Sequence, residues 1–467
     1  FGIAFEALLL GAETETGRTS PAMTWFDVTL IGIMWGLVEL WLPWLLTKWL
    51  LPHIWVRGQP NAAPTHAIPK RTRQIAWVMG AVAVAFYGAL FLTNPPFDGD
   101  AYEYAEISKN LVEQGQLLQT HVNYPSFLDA QLPAPAGRRA TLYPFLLAPF
   151  QSTFGDSPLV VVLPFLLALL LLPRLILAAL GPVFGGANAL AGAGFFLLHP
   201  RLLMQFQFDP NTDVLSTLLV MAALASFHRR QPLWTGLWGG LAALVKANTI
   251  VLGLAVLLAL FLRDRPQLRR PATWIGLVLG VALFLPYPLW LQWSQAHGGI
   301  FPEAAVAAHL TPEIIAGDPV HYFFGVPDGP FVPAHGTWLD QLQMIGYATR
   351  DLIFGDRWMF GLRTGAVEMF GLAFVPFLLL GFREIADRTM RTALGSFTVL
   401  FVAIHCLFIF GSEGRIFAPI VPIVGAAGFA GIRVFFGGRW GWRMALCALM
   451  LELSPGVILS VYGAVTA

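Results

Sequence analysis

The chain has 467 residues, 56% of them hydrophobic and only 12% charged, with a formal net charge of +1. Apolar runs such as 159–172 and 250–262 recur along its whole length, which excludes an ordinary water-soluble globule and predicts an all-α polytopic membrane protein. The near-neutral charge and the lack of a basic stripe exclude an electrostatic nucleic-acid binder. The two cysteines, Cys406 and Cys447, lie far apart in apolar stretches and read as small core residues rather than a disulfide or metal framework.

Taken in order, the apolar stretches predict about twelve transmembrane helices, at 24–51, 74–93, 158–175, 184–199, 212–228, 233–246, 247–263, 272–294, 365–382, 392–410, 416–434 and 442–463. Pro52, Gly181-Pro182, Pro200, Pro266 and Pro271 punctuate their boundaries. The first residue is Phe, so further residues are expected before it, with 1–10 as the end of an apolar segment. Three parts are expected: an extra helix and loop over 1–73, a transmembrane core over 74–435, and a last helix over 436–467.

Lys and Arg in short loops orient the spans. Arg57, Lys70, Arg71 and Arg73 precede the second span, Arg229-Arg230 follow the fifth, and 263–270 carries four arginines. Arg383, Arg388 and Arg391 follow the ninth span, and Arg433, Arg439 and Arg443 follow the eleventh. All fall on one face under twelve spans, the expected cytoplasmic face of a bacterial inner membrane. The opposite, periplasmic face then receives the loop 94–157, the segment 199–211, the apex near Lys246, the loop 295–364 and the turn 411–415. Within 295–364, the stretch 337–356 has apolar residues at helical spacing and is expected to lie along the interface.

That outer face also holds the candidate chemistry. Asp98, Asp100, Glu103 and Glu106 crowd the exit of the second span, before a predicted amphipathic helix at 101–115. Carboxylates there are costly to bury, so they face water or do chemistry. Acids two apart, as in Asp98-Gly99-Asp100, hold a divalent cation, or act as a base with a tuned pKa, or simply cap a helix; spacing does not choose between these. Arg138 and Arg139 suit either interfacial anchoring or bidentate contact with phosphate. Asp209 and Asp213 flank the fifth span, one as a helix cap, with Asp213 placed to reach inward. Lys246 stands at the apex of a helical hairpin, where a cation calls for an anion, either a protein carboxylate or a lipid phosphate. Glu413 and Arg415 read as a local ion pair, or Arg415 as a second phosphate contact. No pair among His199, His309, His321 and His335 has metal-site spacing on one helix. No Walker loop, GxSxG elbow or Rossmann fingerprint occurs.

Together these stretches resemble the C-type membrane glycosyltransferases that use polyprenyl-phosphate sugars, on the protein O-mannosyltransferase and aminoarabinose-transferase side. DAYEYAEIS (100–108) resembles that family's Asp-Glu-x-x-Tyr-Ala-Glu-Ile-Ser segment, with Ala101 where the second acid stands. RRATLYPFLLAPFQSTFG (138–155), GLWGGLAALVKANTIVL (236–252) and EGRIFAPIVP (413–422) resemble three later motifs, in the same order and on the same expected side. The resemblance implies Asp100 as catalytic base, with Asp98 in place of the missing acid. It implies Arg138, Arg139, Lys246 and Arg415 around the donor phosphate, with Tyr104 and Glu106 in the same site. The partners implied are a polyprenyl-phosphate sugar donor, a lipid, glycan or protein acceptor, and membrane lipids; a divalent cation is the one cofactor in view. The expected reaction is an inverting displacement at the periplasmic face. The rival expectation is a noncatalytic subunit of this fold within a larger membrane assembly, favoured by Ala101 and the N-terminal helix. A secondary transporter fits less well, because its polar groups belong at mid-membrane.

Overall fold

The computed structural model describes residues 68–93, 100–120, 132–137, 142–198, 212–299, 371–404 and 417–437, with a few isolated positions beside them. Within these, helices account for nearly all the ordered backbone. They are α1 Lys70–Thr93, α2 Asp100–Gln114, α3 Leu142–Phe154, α4 Leu159–Phe184, α5 Gly186–Leu198 and α6 Thr212–His228. The series continues with α7 Pro232–Val245, α8 Val251–Arg263, the short α9 Arg265–Leu268, α10 Pro271–Phe284, α11 Pro286–Ala296, α12 Gly371–Arg383, α13 Arg388–Ile404 and α14 Val421–Phe436. Between α2 and α3, Leu118–Gln119 (β1) pairs antiparallel with Ala134–Pro135 (β2), a small ribbon that the sequence does not announce.

Three stretches are long and apolar enough to cross a membrane: Lys70–Leu92, Leu159–Phe184 and Pro271–Ala296. Gly186–Leu198, Thr212–His228, Pro232–Val245, Ala247–Arg263 and Val421–Phe436 are shorter apolar helices of the same bundle. The architecture is thus an all-α multi-pass membrane protein, while the expected stretches 24–51 and 442–463 lie outside the described residues.

Two expected boundaries move. Gly181-Pro182 does not end the third expected span at 175; α4 runs on to Phe184 with Pro164, Pro173 and Pro182 inside it. Neighbouring helices tolerate each lost N–H, and the helix stops instead at Gly185, whose φ of 89° only glycine takes easily. The stretch 272–294 is broken into α10 and α11 at Leu285, because Pro286 brings no amide hydrogen for the next turn.

Small residues decide how closely the helices approach. A Cβ on Gly80 would run into the Leu170 carbonyl, and the Ile68 side chain sits 3.0 Å from the Cβ position of Gly181. α1 therefore packs antiparallel on α4. Gly236 faces Gly276, and Gly240 faces Gly280, so α7 and α10 run in the same sense with backbones in contact, as small-xxx-small packing in lipid predicts. Around these seams the core is aromatic. Tyr87 donates a 2.9 Å hydrogen bond to the Leu197 carbonyl and lies edge-on to Phe165.

At the basic face, Asp387 caps α13 by accepting the amides of Thr389 (2.9 Å) and Met390 (3.1 Å). Arg263 Nε lies 3.4 Å from Thr392 Oγ1, tying the end of α8 to the start of α13. α14 departs from its expected course. Gly381 meets Ala427 and Gly431 meets Phe377, so α14 lies antiparallel to α12, which itself ends at the basic face. The helix expected to return Arg433 to that face leads away from it instead. The close apposition of glycines, absent from a rule based on loop charge, sets this direction.

Candidate functional site

The acid-rich segment begins one turn beyond α1. Asp100 and Glu103 occupy the first turn of α2, where carboxylates complement the helix dipole. Asp100 is half-buried, whereas Glu103 is 1% exposed. A carboxylate that deep is functional or firmly engaged, and the sequence reading did not single it out. Its signal was available: Asp100, Glu103, Tyr104 and Ile107 share one helical face.

Tyr104 seats α2 on α3. Its ring meets that of Tyr143 edge-on, with centroids 5.1 Å apart at 89°, and both side chains are buried. Tyr104 therefore supports the helix through its ring. Glu106 receives the hydroxyl of Thr120, while Asn110 Nδ2 donates to the Leu118 carbonyl at 2.9 Å. These bonds place the ribbon along α2. On its other side, Ala136 O accepts from Trp290 Nε1 (2.7 Å) and Ser294 Oγ (3.2 Å), anchoring the layer to α11. Lys109 closes the edge with Asp156 at 2.8 Å. The hydrogen bond and charge of Asp156 hold the exposed Lys109 ammonium above its usual range.

The second charged element lies at the apex between α7 and α8. Lys246 leaves helical geometry (φ −146°, ψ 105°), and Thr249 satisfies its carbonyl with a 2.8 Å hydroxyl bond. Its ammonium pairs with Asp213 in the first turn of α6. Asp213 is 1% exposed and the Lys246 side chain 19%, so the carboxylate is the more deeply sealed partner. Ser216 and Thr217 donate to the Asp213 carbonyl at 2.9 and 2.7 Å, tightening that first turn. Asp213 is thus the protein carboxylate that partners Lys246. α3, which carries Tyr143, also touches α7, so one short helix bridges the acid-bearing layer and the lysine apex.

Asp98, Arg138, Arg139 and Arg415 lie outside the described residues, as do 337–356 and the four outer histidines. The described residues bring together α2, α3 and the Asp213–Lys246 apex, and the site is built from these. They contain no group of three His, Cys, Asp or Glu side chains placed to hold a metal ion. Ala101 is a buried apolar residue beside Asp100 and offers no oxygen donor there.

With this geometry in place, comparison with known proteins is informative. Residues 138–290, from the arginine pair through α3, the lysine apex and into α11, match the family "Dolichyl-phosphate-mannose-protein mannosyltransferase". The match is confined to this stretch, about a third of the chain. No curated protein matches it significantly in sequence. A crystal structure of ArnT from Cupriavidus metallidurans bound to undecaprenyl phosphate is similar at 17% identity and a TM-score of 0.47. That match covers 81% of this chain and 62% of ArnT, so the chain spans about three fifths of that protein's length.

Proposed function

We propose that this protein transfers a sugar from a polyprenyl-phosphate donor to an acceptor at the periplasmic face of a bacterial inner membrane. The observation that carries this reading is the seating of α2 on the mannosyltransferase-like stretch. Tyr104, one turn from Asp100, packs directly on Tyr143 inside the matched residues.

In this reading the Asp100 carboxylate accepts a proton from the acceptor hydroxyl or amine as that group attacks the anomeric carbon. The bond from that carbon to the phosphate oxygen breaks, the configuration inverts, and the phosphate leaves on its lipid. The Lys246 ammonium, held from behind by Asp213, presents its outward side to the phosphate and stabilises its growing charge. Arg138 and Arg139 join it in the fuller proposal, with Asp98 beside the base, Glu106 and Tyr104 holding α2, and a lipid, glycan or protein as acceptor; Arg415 is not included, because α14 starts from the basic face.

Asp100→Asn tests the base. Transfer from a labelled polyprenyl-phosphate sugar should fall roughly 10²–10⁴-fold, while retention of the donor lipid stays as in the parent protein. Undiminished transfer removes Asp100 from the chemistry. Lys246→Ala should show the opposite pattern, a raised KM for donor ahead of any fall in kcat. A second reading, a noncatalytic subunit, is favoured by Ala101 and by the internal neutralisation of Lys246. It predicts that the parent protein transfers no sugar by itself and co-purifies with other membrane subunits.

A further inference from the structure

The opposite end of the bundle holds charges that the transfer chemistry does not use. Arg174 lies in α4, ten residues before that helix ends. Antiparallel packing of α1 on α4, set by Gly80 against Leu170 and Ile68 against Gly181, brings Arg174 level with the first turns of α1. Arg73 stands there, two turns before Gly80 on the same helical face. α6 also packs on α4 and ends at His228, followed at once by Arg229. The charges of Arg73 and Arg229 both act on Arg174, and among the described residues no carboxylate does so. Asp264 is taken by Gln267 (3.0 Å) and Arg230 (3.9 Å), and Asp387 caps α13. Arg73, Arg174 and Arg229 thus lie within electrostatic reach of one another at one membrane boundary, and among the described residues no carboxylate acts on Arg174.

We propose that Arg73, Arg174 and Arg229 bind the phosphate of an anionic phospholipid at the basic face of the bundle. Guanidinium suits this task because its planar donors match phosphate oxygens in pairs. The neighbouring surface fits a lipid better than a free ion. Leu167 and Leu171, 51% and 42% exposed, precede Arg174 by seven and three residues and form with it one stripe of α4. An acyl chain lying on that stripe leaves its headgroup at the level of the arginines. The site is separate from the Asp213–Lys246 apex and stands whether or not the sugar-transfer reading holds.

The test is native mass spectrometry on the full-length protein in detergent, equilibrated with equal amounts of phosphatidylglycerol and phosphatidylcholine of matched chains. The parent protein should retain the anionic lipid about tenfold over the zwitterionic one, the scale of one charge-assisted contact. Arg174→Gln should bring retention to near parity, Arg174→Lys should keep part of the preference, and Lys109→Ala should leave it unchanged. If Arg174→Gln does not fold, the double variant Arg73→Gln/Arg229→Gln, at two exposed positions, carries the same prediction. Parity in the parent protein overturns the proposal, and so does a preference that survives these variants. A preference abolished by inorganic phosphate at the lipid's own concentration also overturns it, since the arginines then read a bare anion rather than a lipid.

Discussion

Two lysine–aspartate pairs in this protein share their chemistry and differ in everything else. Lys109–Asp156 closes the outer edge at 2.8 Å with side chains 36% and 76% exposed, while Lys246–Asp213 is 19% and 1% exposed. In water the first pair gains little, because solvent already serves both charges. In the helix bundle no solvent reaches Asp213, so each charge depends on its partner. The same two residue types make a surface fastening in one place and a fixed electrostatic element in the other. That contrast explains why Lys246 is the cation suited to hold a phosphate: its position is set by a buried anion, not by a mobile chain.

The largest effect follows from splitting the buried pair. Asp213→Leu alone should cost about 3–5 kcal/mol through an uncompensated ammonium, read as a lowered unfolding midpoint in detergent. Asp213→Leu with Lys246→Met should recover most of that loss, since both charges go together. If the double variant is as unstable as the single, the pair holds the apex by shape and the comparison fails. A smaller effect comes from packing alone: Gly236→Ala should cost roughly 1–3 kcal/mol, because its methyl would meet the Gly276 backbone. Lys109→Ala should move the midpoint least. Since Asp156 raises the Lys109 pKa, that pair helps the fold from neutral pH up to the ordinary lysine range. Its contribution is lost as pH rises through the raised value. A melting difference between the parent and Lys109→Ala that persists above that pH would show that Lys109 acts by packing rather than charge.

Much of the site was legible before any coordinates. The acids of 98–106 are conspicuous in so apolar a chain, and the amphipathic pattern that predicts 101–115 places α2 within a residue of its ends. The tight hairpin around Lys246 is legible too, because two apolar stretches meet there without a polar loop. The burial of Glu103 was not, because the same helical face could have turned to water. Nor was the partner of Lys246: both anions that sequence allows satisfy a cation equally, and only the packing of α6 against α7 brings Asp213 to it.

By itself, then, the sequence determined that this chain is a bundle of apolar helices with its carboxylates concentrated after one of them. Hydropathy and helical period are local properties, written into consecutive residues. Tertiary structure alone decided which helices touch, which way α14 runs, and which charges neutralise each other. Those outcomes depend on how closely two backbones can approach, and that distance is set by glycines on separate helices meeting across a seam that no single stretch of sequence contains.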